Sequence, residues 1–184
     1  AGLKDESGVS PEPARLDALL DRAAQAETLA LVRGNDFLTG VFSLRADVGN
    51  LLALVRVRLL EEERDELKLA LLPGGSIKPV RLMELFNDEW DVVVAKLRPT
   101  RWGRMMEEGV AWLQAERSTL RLERLGRELE LGLLARARLI PFGFEPLVGY
   151  YLCREHEIGN LRRLDAAKRT GQGEAVCTEV VARG

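Results

Sequence analysis

Apolar residues at positions 37, 41, 44, 48, 51, 55 and 59 follow one another in steps of four or three. That spacing puts them on one face of an α-helix, whereas a half-buried strand would need steps of two. The helix opens after Asp36 and comes after Gly34-Asn35, a pair suited to stop an earlier helix. The earlier helix is expected from Ser10 as N-cap with Pro11 in the first helical position, and its stripe is Leu16, Leu19, Leu20 and Ala23.

The same patterning extends along the chain. After the acidic run Glu61-Glu62-Glu63, leucines 67, 69, 71 and 72 lead to the turn Pro73-Gly74-Gly75-Ser76, with Ser76 placed to cap the next helix. Three short helices are expected around Leu82, Leu85 and Phe86, around Trp90, Val93, Val94 and Leu97, and around Met106, Val110 and Leu113. A long helix from about Ser118 carries Leu122, Leu125, Leu129 and Leu133 and ends at Pro141. Another runs from Glu145-Pro146 to about Arg169, with Gly171 as its stop, and a last short piece covers about Glu174 to Val181. Aromatic residues are only 5% of the chain and β-branched alternation is nearly absent, so the fold class is all-α.

Composition excludes several functions. Lys and Arg total 27 against 29 Asp and Glu, leaving no basic excess for a polyanion, so nucleic acid is not an expected partner. The longest uncharged run is Leu69 to Ile77, and Pro73-Gly74-Gly75 interrupts it, well short of the roughly 20 apolar residues of a membrane span. No secretory signal opens the sequence. Cys153 and Cys177 form no CxxC pair and are read as ordinary thiols of a reducing compartment.

An internal repeat is visible at an offset of 110 residues. Asp47-Val48-Gly49-Asn50-Leu51 aligns with Glu157-Ile158-Gly159-Asn160-Leu161, Leu54 with Leu164, and Arg58 with Lys168. The acid and the amide stand at i and i+3, on one side of a helix, with a glycine between them that costs about 1 kcal/mol of helix propensity. Such a glycine admits a close neighbouring backbone, and an asparagine can bond a carbonyl and an amide of a nearby loop at once. The plain reading makes Asp47, Asn50, Glu157 and Asn160 satisfied polar positions that lock helix packing; the alternative is contact with a ligand or partner, and Arg162 joins these as a candidate partner-facing residue.

Sites for chemistry are lacking. Pro73-Gly74-Gly75-Ser76-Ile77-Lys78 does not have the GxxxxGK[ST] spacing of a P-loop and reads as a turn with a helix cap. The sole histidine, His156, stands between Glu155 and Glu157, cannot alone complete a metal site, and is expected at a solvated edge. No GxSxG elbow and no Cys–His pair from separate segments is present. Arg117, Arg121, Arg124, Arg127, Arg136 and Arg138 alternate with Glu116, Glu123, Glu128 and Glu130, as on a solvated helix face. No catalytic residue, metal or cofactor is expected.

The stretch Ile140 to Tyr150, with Pro141, Gly143, Glu145 and Pro146 as its loop signature, followed by Glu155 to Arg162 and Ala167 to Gly171, resembles the terminal signature of the C subunit of the A/V-type rotary ATPases. The eukaryotic relative is the d subunit. Ala46 to Leu51 and Leu71 to Ile77 resemble the middle unit of the same family, and the likeness spans roughly Phe37 to Val181. The resemblance implies tandem helical units, two of the family's three: a tail and helix over 1–36, a first unit over 37–117 and a second over 118–184. It also implies a non-catalytic adaptor, cytoplasmic and peripheral to the membrane, that joins the rotor shaft of subunits D and F to the proteolipid ring and binds no nucleotide itself. The competing reading is a free-standing helical interaction module.

Overall fold

The computed structural model describes residues 13–171 and 174–182, and among them there is helix and no strand. In chain order the helices are α1 (Pro13–Leu31), α2 (Asp36–Leu59), α3 (Arg64–Ala70), α4 (Pro79–Leu85), α5 (Trp90–Leu97), α6 (Gly103–Glu116), α7 (Leu120–Leu134), α8 (Glu145–Arg169) and α9 (Glu174–Glu179). A 3-10 segment, Ala135–Leu139, continues α7. The chain packs as two compact units that meet in sequence between Phe86 and Asn87. The expected cap at Ser10 and Pro11 lies outside the described residues.

The centre of the first unit is α2. Asn35 caps it by accepting the Leu38 N–H at 2.9 Å, and Asp36 sits in its first turn where the helix dipole favours a negative charge. Val41, Leu44, Leu51 and Val55 of the four-and-three stripe are buried, joined by Leu54 and Val57. By length and composition α2 is the one described helix apolar enough to cross a membrane, a property the uncharged-run count did not reveal. Burial of its stripe and of Asp47 explains this composition as that of a core helix.

Three local expectations are corrected. The leucines from 67 onward do not simply lead into the turn: Arg64–Ala70 forms α3, which buries Leu67 against its unit. Ser76 does not cap α4, whose N-cap position is Lys78 without a side-chain bond. In the second unit α7 gives way to 3-10 geometry after Leu134, ahead of the expected stop at Pro141. Gly149 of α8 crosses there, so closely that a Cβ on that glycine would press on Ala137 Cβ.

Candidate functional site: two polar grips and an arginine clamp

The repeated acid-x-Gly-Asn segment builds a polar grip on α2. Asp47 and Asn50 stand one turn apart and are almost fully buried, at 0% and 1% exposure. Asn50 donates from Nδ2 to the Leu72 carbonyl at 3.0 Å and accepts the Leu72 N–H on Oδ1 at 2.7 Å. Asp47 Oδ2 accepts the Ser76 N–H at 2.9 Å and the Ser76 hydroxyl at 2.6 Å, while Oδ1 accepts the Ile77 N–H at 2.9 Å. Five bonds therefore hold the turn at 72–77 to α2. Gly75 lets that turn lie against the acid, since a Cβ there would collide with Asp47 Oδ1.

On α8 the second asparagine makes the same pair of bonds. Asn160 Nδ2 donates to the Ala182 carbonyl at 3.0 Å, and Oδ1 accepts the Ala182 N–H at 3.4 Å. Leu72 and Ala182 each lie twenty-two residues beyond their asparagine. This grip is looser. Asn160 is half-buried, and Arg163 Nη1 also reaches its Oδ1 at 3.4 Å. Glu157 does not join it: the carboxylate is exposed and pairs with Arg154 on its own helix. Arg162 is exposed too, so the five sequence-selected polar residues divide into three that grip backbone and two, Glu157 and Arg162, that face outward.

The glycine between acid and amide has a different neighbour from the one expected. A Cβ on Gly49 would meet the Leu72 side chain at 3.3 Å, and one on Gly159 would meet the Arg163 guanidinium at 3.0 Å, so side chains and not a foreign backbone lie over both.

The loop signature forms an apolar corner ahead of α8. Pro141 and Gly143 are exposed, and Gly143 has φ +112°, a conformation that favours glycine. Glu145 and Pro146 are half-buried in the first turn of α8, where the acid suits the helix dipole. Phe142 and Phe144 are 86% and 76% exposed, and Leu139 and Leu147 are exposed as well. In the sequence these aromatics stand out only as part of the signature; nothing in their spacing reveals that they lie outside the core.

The arginine stretch is not a solvated face. Arg121 Nη2 and Nε bind the two oxygens of Glu179 at 2.6 and 3.1 Å, Arg124 Nε adds a contact at 3.1 Å, and Arg127 Nη2 donates to the Val180 carbonyl at 3.1 Å. Arg124 also pairs with Glu128 at 2.7 Å, and Arg121 stacks over Trp112 at 4.2 Å. These residues clamp α9 to α7. The Arg121 hydrogen bond, more than that of Arg124, holds the Glu179 carboxyl below its ordinary pKa. Burial, seconded by the charge of Arg163, pushes Arg127 down to about 10. The sequence could not show this, because Glu179 stands more than fifty residues from its partners. Arg117, Arg136 and Arg138 are exposed, as expected.

His156 is also relocated. It is no solvated edge residue: its side chain is 9% exposed, with Nε2 at 3.2 Å from Glu130 Oε2 of α7. Among the described residues no group of three His, Cys, Asp or Glu side chains is arranged to hold a metal.

A family model described as "ATP synthase (C/AC39) subunit" matches residues 4–176. The chain is 31% identical over 147 residues to the A-type ATP synthase C subunit of Methanothermobacter thermautotrophicus, covering 77% of this chain and 38% of that protein. It is 28% identical over 122 residues to the A-type ATP synthase C subunit of Thermococcus onnurineus, covering 66% of this chain and 32% of that one. The chain thus spans less than two fifths of the length of these relatives. No solved structure matches it significantly.

Proposed function

Because the chain belongs to the ATP synthase (C/AC39) subunit family, we propose that it acts as a non-catalytic adaptor in a rotary ATPase, carrying torque between the shaft of subunits D and F and the membrane proteolipid ring. The observation that carries this reading is the family match from residue 4 to residue 176, nearly the whole chain. Two features of the molecule support it. The grips at Asn50 and Asn160 tie loops to long helices through directional bonds, which suits a part that transmits force without changing shape. The buried polar groups are used in packing: Asp47 is saturated by a turn and Glu179 by arginines, which leaves neither free to act as an acid or base.

The same grips support reading 37–117 and 118–184 as two copies of one unit. Helix α8 covers nearly the same positions as α2 moved on by 110 residues, α9 nearly those of α3, and the residues held by the two asparagines also correspond at that offset. The chain works at the cytoplasmic face of the membrane, peripheral to it, and takes no nucleotide.

The test is titration against the purified D–F shaft complex, together with co-purification with the ring. Micromolar or tighter binding to the shaft, with no binding of ATP by calorimetry, is the expected result. A chain that bound neither shaft nor ring would leave a free-standing helical module as the better reading, and ATP binding would refute the absence of a nucleotide site.

A further inference from the structure

A groove of about 630 Å³ opens on the first unit, between α3, α4 and Arg22 of α1. Its apolar wall is made by Leu71, Leu72 and Pro73, where the chain turns, and by Val80 and Met83 of α4. That wall is fixed in advance, because Asn50 holds the backbone of Leu72 and Asp47 holds Ser76 and Ile77 just ahead of α4. The rim is basic: Arg22, Arg64 and Lys68 line it, the last two one turn apart on α3. Two acids share the rim, but Glu84 is already paired with Arg81 at 2.9 Å, so among the lining residues Asp65 alone stands against three cations.

Packing does not explain these cations. All three are exposed, and among the described residues none of their side chains forms an ion pair or a hydrogen bond. Nor does the internal repeat require them, since the positions 110 residues on are Gly132, Glu174 and Thr178. The whole chain carries 27 basic against 29 acidic residues, so the excess is local to this groove. Like charges gathered beside an apolar wall favour an anion that arrives with apolar surface of its own.

We infer that this groove binds an anionic phospholipid. The phosphate sits among Arg22, Arg64 and Lys68, where the planar arginine donors suit its oxygens. The first carbons of the acyl chains lie on Met83 and on Val80, which is 70% exposed, and Asp65 accepts a hydrogen bond from a headgroup hydroxyl such as that of glycerol. Charge selects the anion, and the apolar wall selects a lipid over a bare phosphate. The choice of a lipid rests on the membrane-peripheral position proposed above. The groove itself lies within one unit, and its binding is measured without shaft or ring, so failure here is distinct from failure of the adaptor reading.

The probe is dihexanoyl-phosphatidylglycerol, kept dilute enough to stay as single molecules, titrated into the whole chain and followed by NMR. The expected result is saturable binding that shifts the signals of Arg22, Lys68 and Met83, weakens about fivefold with each of Arg22→Gln, Arg64→Gln and Lys68→Gln, and weakens severalfold with Val80→Ser. The substituted side chains are exposed, so the variants should melt with the parent. Arg138→Gln removes an exposed arginine of the second unit and should leave affinity unchanged. Phosphatidylcholine of the same chain length and inorganic phosphate should each bind about tenfold more weakly or worse; both comparisons use the unaltered chain and decide the question if a variant melts early. No saturation at roughly ten millimolar lipid overturns the inference, as does equal weakening by Arg138→Gln, the mark of a general attraction of charge. Inorganic phosphate, or a hexaglutamate peptide, bound as tightly as the lipid would give the groove to a soluble anion or an acidic protein segment, and either result overturns a lipid as the occupant.

Discussion

Replacing Asn50 with Leu keeps the branched heavy-atom shape of the side chain and removes both of its bonds. The Leu72 N–H then loses an acceptor at 2.7 Å and the Leu72 carbonyl a donor at 3.0 Å. Stranding a buried polar group costs roughly 1–3 kcal/mol, so two stranded groups amount to about 2–6 kcal/mol. A leucine at a site 1% exposed recovers part of this by burying apolar surface, about 1.5–3 kcal/mol at most. The net expectation is a loss of about 2–3 kcal/mol, or a fall in melting temperature of roughly 4–12 °C for a chain of this size. Asn160→Leu should cost less, about 1 kcal/mol, because that residue is half-buried and its bond to the Ala182 N–H is 3.4 Å long. Thermal and urea denaturation of both variants, followed by circular dichroism, gives the two numbers. If Asn50→Leu melted with the parent protein, or Asn160→Leu proved the more damaging, burial and bond length would not be what sets the cost.

Other outcomes follow from the same structure. Glu179 has its folded pKa depressed by Arg121 and Arg124, so its stabilisation is present above the ordinary carboxylate pKa and disappears as pH falls through the depressed value. Glu179→Gln should therefore lose about 1–3 kcal/mol at pH 7 and show a smaller loss in acid, measured by urea midpoints across pH. Gly109→Ala would drive a Cβ into Leu122 of α7 and should destabilise by about 1–3 kcal/mol in chemical denaturation. Gly132→Ala, within α7 itself, meets open space and should stabilise by about 0.5–1 kcal/mol, so equal melting of these two glycine variants would contradict the packing described.

The helices were legible because each rests on local signals: the stripe of α2, the Asn35 cap, the proline near the start of α8. So was the double bond of each asparagine, since an amide beside an acid on one helix side has few other uses. What escaped depended on residues far apart in the chain. Glu179 meets Arg121 fifty-eight residues away, and without that partner the arginines look like an ordinary charged surface. His156 appeared solvated because its sequence neighbours are glutamates, but those point elsewhere on the helix and Glu130 comes from α7. Helix α3 was hidden by its spacing: leucines at 67, 69 and 71 fall two apart, which marks no helix face.

The exchange of aspartate for glutamate at corresponding positions bears on why one grip is closed and the other open. Asp47 has two side-chain torsions and sits where three donors meet it without further adjustment, so little rotamer freedom is lost in holding the turn. Glu157 adds a methylene and a torsion. Burying it in the same way would cost more side-chain entropy, and the longer arm sets its carboxylate farther from α8, within reach of Arg154 and of solvent. A residue fixed for structure benefits from the short arm, while one that stays in solvent gains nothing from it. The consequence can be separated from simple loss of charge: Asp47→Glu keeps the acid but must fit an extra methylene into a site that is 0% exposed, and should destabilise the chain by about 1–3 kcal/mol in urea denaturation, while Glu157→Asp, on an exposed side chain, should leave melting unchanged. Equal melting of Asp47→Glu and the parent chain would show that the length of the arm plays no part in holding the turn at 72–77.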